Sequence, residues 1–132
     1  MVKCRILCVD DHQDTSEMLK LLLAGEDYEV ATALSVDQAI LMATAHPFDL
    51  YVLDKRLPDG SGVELCRQLQ ETTPNSICII YTGDAYEIHR QQALEAGADA
   101  FVPKPDIEKL INTVEDLLTK HECAAAIRAK AK

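Results

Sequence analysis

The 132-residue chain has no Trp, no low-complexity tract and no apolar run approaching the ~18 residues that cross a membrane as a helix. A helical membrane span is thereby excluded. Positive charge is also scarce: 13 Lys and Arg stand against 22 Asp and Glu, for a net charge of −9. So acidic a domain does not by itself grip nucleic acid or an anionic membrane. It suits a cation or a basic partner surface. The opening residues, Met1 to Ile6, lack the long apolar region and cleavage site of a signal peptide, which makes the cytoplasm the expected compartment. The five cysteines (Cys4, Cys8, Cys66, Cys78 and Cys123) are odd in number and show no C-x-x-C spacing. Metal ligation and disulfides are accordingly set aside in favour of buried free thiols.

What is present is a single domain's worth of alternating pattern. Ile6-Leu7-Cys8-Val9 is a short apolar strand ending on Asp10-Asp11. A helix follows over residues 14–24, with Met18, Leu19, Leu22 and Leu23 near helical spacing and Gly25 to end it. Residues 28–33 alternate polar and apolar, as an edge strand does. Ser35 to Gln38 forms a capping box for a helix with Val36, Ala39, Ile40 and Ala43 on one face, closed by His46-Pro47. Leu50-Tyr51-Val52-Leu53 then reads as a strand buried on both faces, and it delivers Asp54. Ser61 to Glu64 caps a third helix, with Val63, Cys66 and Leu69 inward. Ile77 to Tyr81 is the next buried strand and ends on Thr82-Gly83-Asp84; Asp84 can cap a helix that stops at Gly97. Ala100-Phe101-Val102 is a last strand before Pro103-Lys104-Pro105, and Asp106 caps a final helix with Ile107, Leu110, Ile111, Val114, Leu117 and Leu118 inward.

Five β-α units imply right-handed crossovers and a parallel sheet with helices on both faces. Three buried strands and two edges fit a flavodoxin-like order, 2-1-3-4-5. The domain is placed at residues 1–122. The Ala-rich, basic residues 123–132 extend the last helix, fray or lead into a further domain.

In such a sheet the carboxyl ends of the strands share one rim, and ligands bind in the crevice there. That rim collects Asp10, Asp11, Asp54, Thr82 and Lys104. Clustered carboxylates repel unless a cation joins them, and hard oxygen ligands suit Mg²⁺. A metal, an ammonium and a hydroxyl around one carboxylate make a site for an incoming phosphoryl group, with the carboxylate as nucleophile. His12, beside the acidic pair, is read as facing solvent in preference to touching that metal site.

Asp10-Asp11, Asp54 with Leu57-Pro58-Asp59-Gly60-Ser61-Gly62 downstream, Thr82 and Lys104-Pro105 together resemble the CheY-like receiver domain of two-component response regulators. The resemblance spans about residues 3–121. It implies that Asp54 accepts a phosphoryl group from the phosphohistidine of a sensor histidine kinase or histidine phosphotransfer protein. Asp11, Asp54 and the Arg56 backbone carbonyl would bind Mg²⁺, for which Mn²⁺ can substitute, with Asp10 acting largely through a bound water. Lys104 would pair with the phosphoryl oxygens, ahead of a cis bond to Pro105. Thr82 would turn toward the phosphoryl group and Phe101 would swing into the space it leaves. The readout surface would be the fourth helix, fifth strand and fifth helix, facing a downstream effector; phosphorylation-dependent homodimerisation is one assembly this allows. The domain would be a signalling phosphoacceptor rather than an enzyme, catalysing only its own phosphorylation and slow dephosphorylation.

Arg56 and Asp84 are expected to face each other across the site as an ion pair that modulates the phosphoryl lifetime. Two other functions fit the same fold. An aspartate-nucleophile phosphohydrolase would want a D-x-D arrangement after the first strand, where this chain has Asp10-Asp11-His12. A phosphate-independent scaffold would have no need of the full set of side chains.

Overall fold

Strands form where apolar residues run short and unbroken, and helices where they recur every three or four residues. In the computed structural model, which describes residues 3–25, 27–84, 86–121 and 123, these become ten main elements. They are β1 (Cys4–Val9), α1 (Gln13–Leu23), β2 (Tyr28–Ala33), α2 (Val36–Ala45), β3 (Leu50–Leu53) and α3 (Gly62–Thr72), then β4 (Ile77–Thr82), α4 (Glu87–Glu95), β5 (Ala100–Pro103) and α5 (Ile107–Thr119). The five strands form one parallel sheet in the order β2-β1-β3-β4-β5. This is the flavodoxin-like, doubly wound arrangement expected from the alternation. A small antiparallel hairpin, Arg56–Leu57 against Gly60–Ser61, fills the turn after β3.

Period-two alternation sends side chains to two separate cores. Leu7, Val9, Tyr51, Leu53 and Ile80 pack on one face with Leu65 and Leu69 of α3. Ile6, Cys8, Leu50, Val52 and Ile79 pack on the other with Leu19 of α1 and with Leu110, Val114 and Leu118 of α5. Each fully buried Leu or Val of that α5 stripe contributes about 1.5–3 kcal/mol. The apolar residues of α1 exceed what one face can bury: Leu19 and Leu23 are inside, whereas Met18 and Leu22 are exposed.

The helix ends follow the expected side chains in most places. Ser35 Oγ accepts the Gln38 N–H at 3.1 Å, Ser61 Oγ accepts the Val63 N–H at 3.1 Å, and Asp106 accepts the Lys109 N–H at 3.1 Å. The glycine stop after α4 is also found, with Gly97 at φ 111°. The Asp84 cap is not: Tyr86 begins α4 without a side-chain cap, because the Asp84 carboxylate is engaged by cations elsewhere.

The free-thiol reading needs a correction at two positions. Cys4 and Cys123 are joined, with an S–S distance of 2.06 Å. Helix α5 runs back along the sheet to the start of β1 and brings two cysteines 119 residues apart to a Cα separation of 5.2 Å. Cys8, Cys66 and Cys78 are free and buried as expected. Burial, with the charge of Asp10, pushes the Cys8 thiol up to about 12. Of the extension expected over 123–132, all but Cys123 lies outside the described residues.

Candidate functional site at the carboxyl rim of the sheet

The strand register sets the height of each rim residue. Val9 pairs with Leu53, so Asp10 and Asp54 leave β1 and β3 side by side. Leu53 pairs with Ile80 and Thr82 with Pro103, which brings Thr82 and Lys104 to the same edge. Backbone bonds fix these exits: the Asp10 N–H donates to Ala33 O at 3.1 Å and the Asp54 N–H to Val9 O at 2.9 Å.

The carboxylates converge as anticipated. Donor atoms of Asp10, Asp11, His12 and Asp54 all lie within 4.8 Å of one another. Asp10 and Asp54 are buried, at 2% and 7% exposure, and Asp11 and His12 are exposed. Lys104 Nζ reaches across the sheet to Asp10 Oδ2 at 2.6 Å and Asp54 Oδ2 at 3.3 Å. Burial alone would lower the Lys104 pKa; the hydrogen bond and charge of Asp10, followed by those of Asp54, outweigh it and hold the ammonium above its ordinary value. The Lys104-Pro105 bond is cis, as the resemblance implied. His12 faces solvent yet touches the cluster, with Nδ1 at 3.1 Å from Asp10 and 3.2 Å from Asp11. An all-oxygen carboxylate set of this kind fits a hard divalent cation such as Mg²⁺.

Thr82 is buried and its hydroxyl accepts the Asp84 N–H at 3.3 Å, within its own loop. Phe101 is already inside, at 8% exposure, in the core cluster with Leu53 and Ile80. The expected Arg56–Asp84 pair is present at 3.0 Å, but it is part of a larger group. Lys55 Nζ reaches the same Asp84 oxygen at 3.0 Å, and His89 Nε2 lies 3.4 Å from the other. The Lys55 bond above all, followed by that of Arg56, holds the Asp84 carboxyl below the usual carboxylate range.

Three roles were not foreseen from the sequence. Lys55 had one available signal, since it follows Asp54 directly; His89 had none, because α4 carries little amphipathic pattern. Asp59 was seen only as part of a turn. Its carboxylate accepts the Val36 and Asp37 N–H groups at 2.8 and 3.0 Å, so the loop after Asp54 caps α2 and is tied down by it. Gly62 is required by contact rather than by φ: a Cβ there would fall 1.9 Å from the Asp54 carbonyl oxygen.

The family comparison agrees with this geometry. Residues 6–115 match the model of the response regulator receiver domain. The chain belongs to that family. It is 34% identical over 116 residues to the response regulator ArlR of Staphylococcus epidermidis strain ATCC 35984, covering 87% of this receiver and 52% of ArlR. ArlR of Staphylococcus aureus strain Mu50 is also 34% identical, over 118 residues, covering 88% and 53%. The chain thus spans about half the length of the curated relatives it matches. Among solved structures, the BeF3-activated DrrB receiver domain superposes with a TM-score of 0.81 at 31% identity, covering 89% of this chain and 99% of that one. The response regulator TrrA of Thermotoga maritima, in complex with Mg²⁺-BeF, gives 0.77 at 32% identity, covering 87% and 99%.

Proposed function

We propose that this receiver domain accepts a phosphoryl group on Asp54 from the phosphohistidine of a sensor kinase or histidine phosphotransfer protein. The observation that carries the reading is Lys104 Nζ, lodged between two buried carboxylates, one of which is the candidate nucleophile. Asp54 ends a buried strand and is only 7% exposed, so its attacking oxygen is presented in one place with few waters to displace. In the transfer, a carboxylate oxygen forms a bond to phosphorus while the phosphorus–nitrogen bond breaks and its electron pair stays on the imidazole. Lys104 faces the oxygens that gain charge.

Asp11, Asp54 and the Arg56 carbonyl would hold Mg²⁺, or Mn²⁺ in its place, with Asp10 acting through water; the bound cation would neutralise charge on the phosphoryl oxygens. Thr82 would exchange its neutral bond from Asp84 N–H for a charge-assisted one to the phosphoryl group, roughly twice as strong. That difference between states is what a switch needs. Phe101, already buried on the core face of β5, would follow Thr82 and alter the surface of α4, β5 and α5 that an effector or a second copy reads. The domain would turn over only its own phosphoryl group, in the cytoplasm.

Intact mass after incubation with a small phosphodonor tests this, with and without Mg²⁺, on wild type and Asp54→Ala. A Mg²⁺-dependent gain of one phosphoryl group, absent from the variant, is expected. A folded wild type that binds no Mg²⁺ and gains no mass would overturn the reading.

A further inference from the structure

At the edge of the sheet opposite the acidic rim, a second group of ligating side chains meets. Cys4 opens β1, Asp49 precedes β3, and His121 and Cys123 follow α5. Donor atoms of Asp49, His121 and Cys123 all lie within 4.8 Å of one another. His121 Nδ1 is 3.3 Å from Cys123 Sγ and 3.6 Å from Asp49 Oδ1. Cys4 Sγ is bonded to Cys123 Sγ and so stands at the same place.

Two of these side chains are also oriented from behind. His121 Nε2 is 2.9 Å from the Asn75 carbonyl, which can only accept, so Nε2 carries the proton and the Nδ1 lone pair faces the cluster. Consistently, Nδ1 accepts the Cys123 N–H at 3.2 Å. Asp49 Oδ2 accepts the Arg5 N–H at 2.7 Å, which leaves Oδ1 turned toward His121. Outer hydrogen bonds of this kind are how metal-ligating histidines and carboxylates are held in position.

We propose that, once the Cys4–Cys123 bond is reduced, Cys4, Cys123, His121 and Asp49 hold a thiophilic divalent cation of the zinc class. Two sulfurs, one imidazole nitrogen and one carboxylate oxygen make a tetrahedral donor set for zinc and a poor one for Mg²⁺. The chemistry balances with a thiol reductant. A dithiol supplies two electrons and two protons, becomes a disulfide itself and leaves Cys4 and Cys123 as thiols. Each thiol then releases its proton to solvent as its sulfur bonds the cation, and Nδ1 gives up the Cys123 N–H to do the same. The covalent bond and the cation are therefore alternatives that tether the end of α5 to β1. In a reducing compartment the cation is the tether.

Cobalt(II) is the probe, added to the full chain in its oxidised form and after reduction by a phosphine. Thiolate-bound cobalt gives strong near-ultraviolet charge-transfer absorption, which the rim cluster of carboxylates and one imidazole cannot produce. The reduced chain should bind one cobalt with these bands, zinc should bleach them, and the oxidised chain should show none. Cys123→Ser and His121→Ala should each weaken binding at least about tenfold, circular dichroism showing whether each variant is folded. The wild-type comparison stands without either variant. Absence of thiolate bands in the reduced chain, equal bands in the oxidised chain, or unchanged bands in both folded variants would overturn the site.

Discussion

Lys104 Nζ stands closer to Asp10, at 2.6 Å, than to Asp54, at 3.3 Å. The lysine thus compensates the carboxylate beside the candidate nucleophile more fully than the nucleophile itself. Lys104→Met should leave Asp10 and Asp54 facing each other uncompensated and slow phosphoryl transfer by about 10²-fold or more, the usual effect of losing one charge-stabilising donor. Stopped-flow or mass measurements with a small phosphodonor check this.

The same lysine predicts a pH dependence of stability. Its pKa in the fold is raised above the ordinary 10.5, so it stabilises fully below that value, and the contribution is lost as pH rises through the folded pKa. Thermal melts of wild type and Lys104→Met should therefore converge only in strongly alkaline solution. A constant difference across pH 9–12 would contradict the assignment.

Asp84 gathers Lys55, Arg56 and His89, and Arg56 is the most exposed of these partners. Arg56→Ala should shorten the phosphoryl lifetime slightly and Asp84→Ala by several-fold, because only the second removes the carboxylate that fixes Lys55, the residue next to Asp54 in the chain. Loss of phosphoryl mass with time measures both. Unchanged hydrolysis in both variants would remove this group from the site.

Thr82→Val keeps the branched shape and deletes the hydroxyl. It should still acquire phosphoryl mass on Asp54, while the Phe101 ring resonances, which shift on phosphorylation of the wild type, stay in place. Shifts equal to those of the wild type would show that Thr82 does not carry the switch.

Gly62→Ala should destabilise by about 3 kcal/mol or more, since the new methyl meets the Asp54 backbone carbonyl. Gly83→Ala, whose new Cβ meets nothing within 4 Å among the described residues, should stay within about 0.5 kcal/mol. Urea titrations of the two variants give the comparison.

The rim was legible in the sequence because two simple facts combine there. Short apolar strands mark their own ends, and a parallel sheet puts all those ends on one side, so Asp10, Asp54, Thr82 and Lys104 could be gathered without coordinates. Side chains that meet by tertiary accident were not legible. Cys4 and Cys123 sit 119 residues apart, with no local pattern linking them. His89 turns toward Asp84 from a helix whose polar residues give no preferred direction. Helix α1 offered more apolar residues at helical spacing than it buries, and nothing in that spacing separates the exposed Met18 and Leu22 from the buried Leu19 and Leu23.

The contact between Gly62 and Asp54 has a consequence for any survey of tolerated substitutions. A screen that scores signalling output would rank position 62 as severely as position 54, one for want of space and the other for want of a nucleophile. Only a parallel assay of soluble, folded protein would separate them, with substitutions at 54 keeping their yield and those at 62 losing it.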